Sequence, residues 1–131
     1  MSLMSGASPT PEPNQLKRSI EGVASVDGVL SVVVLDKDGL VIESLFKGEN
    51  ASADLISGLA CVMLEANAKT GESLGSGTLQ YLMSDFDKGR LFIMGMKSGA
   101  AFLIVHTEKR VNVGLAKYAM EKAKSSLESL L

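Results

Sequence analysis

The sequence predicts an α+β domain in which a five-stranded antiparallel sheet lies between helices, in the order α-β-β-α-β-β-β-α. Segments with apolar residues at helical spacing alternate with short β-branched or aliphatic runs, and short turns separate the runs within each group. Strands joined by such short turns must run antiparallel. The last two runs, "RLFIMGMK" and "AAFLIVHTE", are apolar at nearly every position, which indicates that both faces of the sheet are covered.

Length and composition limit the functional classes. The chain has 131 residues, enough for one domain with a single core, and 46% of them are hydrophobic. A net charge of -2 without a basic stripe argues against nucleic acid as a partner. No stretch reaches membrane-spanning length, so no membrane insertion is expected. Cys61 is the single cysteine, and the chain start shows no signal-peptide segment, which together predict a cytoplasmic protein.

The two ends of the chain differ in character. Residues 1–13 contain all three prolines, and we expect them to form a disordered tail that begins with an added leader. The domain is then 14–131. Its first helix begins at Asn14 as N-cap, with Leu16 and Ile20 facing inward. A last helix follows Asn112, and its predicted apolar face consists of Leu115, Ala119, Ala123, Leu127 and Leu130.

The stretch "VVVLDKDGLVIES" poses a chemical alternative. Asp36 and Asp38 after an apolar run resemble the start of an Mg²⁺-dependent phosphatase site with an Asp nucleophile. The same letters spell a hairpin, because Gly39 can take the positive φ of a short turn. The phosphatase interpretation needs a parallel sheet and further metal ligands, and the second strand follows too soon. We therefore predict a hairpin.

Other candidate chemical groups are isolated along the chain. His106 is the only histidine, and neither a nucleophile nor an acid motif accompanies it. The segment "GESLGSG" lacks the Lys-Ser/Thr ending of a phosphate-binding loop, so we expect it to be a flexible connection. The sequence thus predicts no catalytic residues, no metal site and no cofactor, and a protein that is not an enzyme.

The helix predicted at residues 51–70 is unusually apolar all round. We expect one arc to cover the sheet; it consists of Leu55, Ile56, Leu59, Val62, Met63 and Ala66. The opposite arc has small or apolar residues at Ala53, Ser57, Ala60, Cys61, Leu64 and Ala68. This second arc predicts a homodimer in which two such helices pack together and two sheets join edge to edge. The alternative is that the final helix of the same chain covers it.

The chain resembles the roadblock family, the group of dynein light chains and gliding-motility regulators. The resemblance spans residues 14–130 and rests on three segments: "GVLSVVVLDKDGLVIES", "ASADLISGLACVMLEANAK" and "GRLFIMGMKSGAAFLIVHTE". It implies a roadblock-like, profilin-like sandwich that dimerises through its second helix and third strand. It further implies a non-catalytic platform or regulator for Ras-like small GTPases, with some members stimulating GTP hydrolysis.

The resemblance also suggests site residues. The sheet-packing side of the second helix would include Leu55, Leu59, Val62 and Met63. The dimer interface would consist of Ala53, Ser57, Ala60, Leu64, Tyr81 and Leu82. The candidate GTPase contacts are Asp54, Glu65 and Lys69 at the rim of the paired helices.

Three functions follow as expectations. The first is a homodimeric regulator that binds a Ras-like small GTPase and modulates its GTPase cycle. The second is a scaffold subunit that assembles with other roadblock-like chains without regulating a GTPase directly. The third is the Mg²⁺-dependent phosphatase, whose turnover would be lost in Asp36→Asn.

Overall fold

The computed structural model describes residues 13–48 and 52–131, so most of the predicted tail lies outside the described residues. The elements confirm the predicted order. They are α1 (Pro13–Ala24), β1 (Val29–Asp36), β2 (Val41–Phe46), α2 (Ala53–Ser73), β3 (Tyr81–Phe86), β4 (Gly89–Met96), β5 (Ala101–Glu108) and α3 (Val113–Leu130). A short 3₁₀ turn, Lys97–Gly99, connects β4 to β5.

All five strands form one antiparallel sheet with the order β2-β1-β5-β4-β3. The edge strands are therefore β2 and β3, and β1, β5 and β4 lie inside. One row across the sheet aligns Val33, Ile104, Ile93 and Leu82 on four successive strands. Because side chains alternate along each strand, these four residues point to the same face.

Helices α1 and α3 cover the opposite face of the sheet. Ile20 on α1 and Met120 and Leu127 on α3 are fully buried against Val32 and Val34 of β1. The interior strands are apolar on both faces, as the sequence predicts, because α2 covers part of the second face. The final helix lies on the other side of the sheet from α2. The alternative in which this helix covers the second arc of α2 is therefore wrong.

Helix α3 begins where the sequence predicts, whereas its buried face and the end of α2 differ from the prediction. Asn112 is the N-cap of α3, because its Oδ1 accepts a hydrogen bond from the Leu115 backbone N–H at 3.0 Å. Leu115 itself is half exposed, contrary to its predicted inward position. The residues that α3 buries are Ala116, Met120, Ala123 and Leu127. Helix α2 continues to Ser73, so the first three residues of the predicted 71–77 connection are helical.

Candidate functional site

The rotation of α2 about its axis decides which residues it offers to a partner. Ser57 and Ala60 are buried against the sheet, and the Ser57 hydroxyl donates a hydrogen bond to the Gly39 carbonyl oxygen at 2.7 Å. A Cβ built on Gly39 would overlap the sulfur of Cys61. The small side chains of α2 thus let the helix approach the β1–β2 hairpin closely.

The large aliphatic residues of α2 point away from the sheet. Leu55, Leu59 and Val62 have exposed fractions of 53%, 57% and 68%. The prediction that these three pack on the sheet is wrong, whereas Ile56 and Met63 do pack there. The physical reason is that the sheet face below is already filled by large residues such as Val33 and Leu35.

Because of this rotation, the residues predicted to form the dimer interface do not all lie on one surface. Ser57 and Ala60 lie in the core of their own chain, and Leu64 packs against the same cluster, so they are not free for a partner. Ala53 is half-buried at the start of α2. Tyr81 and Leu82 lie on the edge strand β3, as the dimer prediction requires.

Tyr81 and Leu82 point to opposite faces of the sheet. Leu82 packs against the α2 cluster, whereas Tyr81 belongs to the α1 and α3 side. The Lys117 ammonium lies 4.4 Å from the centre of the Tyr81 ring. Burial raises the pKa of the Tyr81 hydroxyl, and the charge of Glu121 adds to this effect. The two faces at this edge therefore differ in chemistry.

Four exposed apolar residues of α2 form a single line, which we call the outer stripe: Leu55, Leu59, Val62 and Ala66. Their spacings of four, three and four residues place them on one side of a helix. This spacing was present in the sequence. It could not be assigned to the outside, because the opposite arc is apolar as well.

The three candidate GTPase contacts flank the outer stripe. Asp54, Glu65 and Lys69 are all exposed, and at 100° per residue they lie along one border of the stripe. None of them forms an ion pair with another residue in the described ranges. The structure thus brings them to the same surface, next to exposed aliphatic side chains.

The β3 edge offers a second element of the surface. Its backbone pairs with β4 on one side, and no other strand of the described residues pairs with its second side. The adjoining hairpin is held by Asp85, which forms ion pairs with Lys109 and Arg90. The hydrogen bond from Lys109 lowers the pKa of the Asp85 carboxyl; partial burial opposes this effect, and the charge of Arg90 adds to it.

The predicted hairpin with its turn at residues 36–39 is confirmed, and the second strand begins one residue later than predicted, at Val41. Asp36 Oδ1 accepts hydrogen bonds from the backbone N–H groups of Asp38 at 2.9 Å and Leu40 at 3.0 Å. Gly39 has a φ of +84°, as the turn requires. The Asp36 carboxylate therefore closes its own turn.

The remaining isolated groups have ordinary surroundings. His106 is half-buried in β5, paired across the sheet with Ser31 and Leu91. In the described part of the chain, histidine, cysteine and acidic side chains do not gather in groups of three that could hold a metal ion. None of the described helices combines the length and the apolarity needed to cross a membrane. The candidate functional site therefore consists of the outer stripe and the β3 edge.

Comparison with known proteins places this arrangement in a family. The Roadblock/LC7 domain model matches residues 17–106. The uncharacterized protein MJ0310 of Methanocaldococcus jannaschii is 30% identical over 104 residues, which cover 79% of this chain and 89% of that protein. MglB of Myxococcus xanthus superimposes with a TM-score of 0.84 at 18% identity, covering 95% of this chain and 93% of the other.

A more distant likeness extends the fold relationship. Profilin of Schizosaccharomyces pombe superimposes with a TM-score of 0.56 at 18% identity, covering 90% of this chain and 97% of the other. These two structural likenesses show the shared fold, and the match to residues 17–106 shows the family. The resemblance inferred from the sequence is confirmed: the chain belongs to the Roadblock/LC7 domain family.

Proposed function

We propose that the protein is a non-catalytic homodimer that binds a Ras-like small GTPase and modulates its GTPase cycle in the cytoplasm. Two observations carry this proposal: the exposed outer stripe of α2 and the free edge of β3. The two features lie where the family resemblance expects a dimer interface. They replace Ser57, Ala60 and Leu64, which the chain uses in its own packing.

A stable dimer needs both the outer stripe and the β3 edge in its interface. Burying the exposed half of an aliphatic side chain contributes about 1 kcal/mol, so three such residues from each protomer contribute on the order of 6 kcal/mol. Association costs roughly 4–15 kcal/mol in lost rigid-body freedom. The outer stripe alone is therefore marginal. Backbone hydrogen bonds between two β3 edges supply the remainder and remove the exposed edges.

A GTPase would bind on the side that the paired α2 helices form. Asp54, Glu65 and Lys69 border the outer stripe without ion-pair partners in the described ranges, so they are free to contact charged groups of a second protein. Charges at a rim affect partner choice and association rate more than affinity. These three residues are accordingly proposed as selectivity contacts.

The test is binding of purified Ras-like GTPases from the same genome, each loaded with GDP or with a non-hydrolysable GTP analogue. We expect one nucleotide form to be retained by the immobilised protein more strongly than the other. Asp54→Lys and Glu65→Lys, each made singly, should slow association, whereas Glu21→Lys, which makes the same charge change on α1 at the opposite face of the sheet, should not. Failure of every GTPase to bind in either state would count against the proposal.

A second candidate is a scaffold subunit that pairs with other roadblock-like chains. The free β3 edge favours it, because backbone pairing does not distinguish a second copy from a related chain. Mixing the protein with its paralogues and measuring heterodimers by native mass spectrometry tests this. Heterodimers that form at the expense of the homodimer would support the scaffold function.

A further inference from the structure

A groove separates α1 and α3 on the face of the protein opposite α2. The two helices run antiparallel, because Gln15 at the start of α1 lines the same depression as Ser129 at the end of α3, and Asp27 just after α1 accepts a hydrogen bond from Arg110 just before α3. The groove has a volume of about 480 Å³ and continues past Arg18 into a shallower depression of about 320 Å³ that ends at Leu130. Arg18, Ser19 and Ser126 line both parts, so the two depressions adjoin along the same pair of helices.

The walls of the groove present anchors for an apolar partner. Leu115 and Tyr118 on α3 have exposed fractions of 50% and 59%, although both are large and apolar. On α1, Gly22 faces open space, since a Cβ built there meets no atom within 4 Å. A helix could therefore approach α1 closely at this point while its apolar side chains contact Leu115 and Tyr118.

The groove carries positive charge, which favours a partner with acidic side chains. Arg18 on one wall and Lys122 on the other form no ion pair with residues 13–48 or 52–131, and Lys122 lies over the Tyr118 ring at 5.5 Å. The one carboxylate in the lining, Asp27, already accepts two hydrogen bonds from Arg110, at 2.7 and 3.0 Å. Two cations are thus left without a counter-charge.

We propose that this groove binds an acidic amphipathic helix from a second protein. Between Leu115 and Ser129 the groove extends roughly 21 Å, at about 1.5 Å per helical residue, which accommodates a helix of about 14 residues. The sheet separates this groove from the outer stripe. The proposal is therefore independent of GTPase binding, and occupation of both faces would let the protein connect two partners.

The test uses a blocked 15-residue peptide with leucines at spacings of three and four, glutamates beside the leucines and alanines at the remaining positions, which favour a helix. Added to the ¹⁵N-labelled full chain, it should shift amide resonances of Gly22, Ala119 and Ser126, and leave those of α2 unchanged. The affinity should fall about tenfold in Arg18→Glu/Lys122→Glu. A matched peptide with lysines in place of glutamates should bind that variant better than the wild type.

The control is Lys37→Glu/Lys88→Glu, which changes the net charge equally at two exposed turns and should keep the affinity within about twofold. Equal binding of the acidic and basic peptides by the wild type would overturn the proposal. Shifts located at α2 would overturn it too. Groove resonances that move with protein concentration without peptide would identify a second copy as the occupant and likewise refute it.

Discussion

The Ser57 hydroxyl donates a 2.7 Å hydrogen bond to the carbonyl oxygen of Gly39, and this contact, together with the packing of Ile56 and Ala60, holds one side of α2 against the sheet. The two residues are 18 positions apart and join the helix to the turn of the first hairpin. With Ser57 held inward, Leu59 and Val62 must point to solvent. The hairpin that looked like half of a phosphatase site thus positions the interaction surface.

Replacing Ser57 with alanine should lower the free energy of unfolding by about 1 kcal/mol, because the Gly39 carbonyl loses its side-chain donor. Urea denaturation measures this as a lower midpoint with an unchanged slope. The control is Ser73→Ala at the exposed end of the same helix, which should change stability by less than about 0.5 kcal/mol. Equal effects of the two substitutions would show that the Ser57 contact does not stabilise the fold.

Gly39→Ala should destabilise the protein more strongly. Its φ of +84° costs a residue with a Cβ roughly 1–2 kcal/mol, and overlap of the new methyl group with the Cys61 sulfur adds roughly 1–3 kcal/mol. Removing the sulfur in Gly39→Ala/Cys61→Ala should recover the free energy lost to the steric overlap, but not the free energy lost to backbone strain. A double-mutant cycle from thermal or urea unfolding measures this coupling.

Gly75 provides the matched control for that cycle. It also has a positive φ, +67°, but a Cβ built there meets no atom within 4 Å. Gly75→Ala should therefore cost roughly 1–2 kcal/mol from backbone strain, and Cys61→Ala should not reduce this cost. Coupling between Cys61 and Gly75 as large as that with Gly39 would contradict the close contact of α2 with the hairpin.

The stability contribution of Asp85 should depend on pH. The Lys109 hydrogen bond lowers its pKa below the ordinary value of 3.8, so the carboxylate stabilises the folded state above that value. The contribution is lost as the pH falls through the lower, folded-state pKa. Asp85→Asn should therefore be less stable than the wild type at pH 6, and the difference should shrink below about pH 3.8.

Urea midpoints of the two proteins at pH 6 and pH 3 measure this effect. The matched control is Asp87→Asn in the same turn, since Asp87 forms no ion pair within the described part of the chain. At pH 6 the urea midpoint of Asp87→Asn should lie closer to that of the wild type than the midpoint of Asp85→Asn does. A difference for Asp85→Asn that stays constant with pH would rule out the assigned role of Lys109.

The sequence was sufficient for the element order and for the first hairpin, because these depend on local signals. Gly39 between two apolar runs predicts a turn whatever surrounds it, and Asn112 predicts a helix start in the same way. The two faces of a helix that is apolar all round carry no such local signal. Ser57 and Leu59 could each have faced the sheet until the hairpin supplied a partner for the Ser57 hydroxyl.

The groove between α1 and α3 could not be predicted from the sequence, for a similar reason. Leu115 fits the apolar pattern of the last helix, so its spacing predicts burial. The structure buries Ala116 and Met120 in the first half of α3 instead, one residue beyond the predicted positions, whereas Ala123 and Leu127 in the second half are buried as predicted. Periodicity locates an apolar arc to within about one residue, and that error decides whether Leu115 is core or surface.

Charge placed in the outer stripe should separate the dimer without unfolding the chain. In Leu59→Glu/Val62→Glu each protomer of the dimer would bury two unpaired carboxylates, each costing several kcal/mol. The dissociation constant of the dimer should therefore rise by roughly a hundredfold or more. Circular dichroism should remain that of the wild type, because both side chains are exposed within the chain. The control is Leu40→Glu, which is 65% exposed on the β1–β2 turn, at the other side of the sheet from β3.

Sedimentation equilibrium of the wild type and of Leu59→Glu/Val62→Glu tests the central claim most directly. The wild type and Leu40→Glu should sediment at micromolar concentration with twice the mass of one chain, and the double variant with the mass of one chain. A wild-type monomer at that concentration, or a double variant that stays dimeric, would contradict the assignment of the outer stripe as the dimer interface.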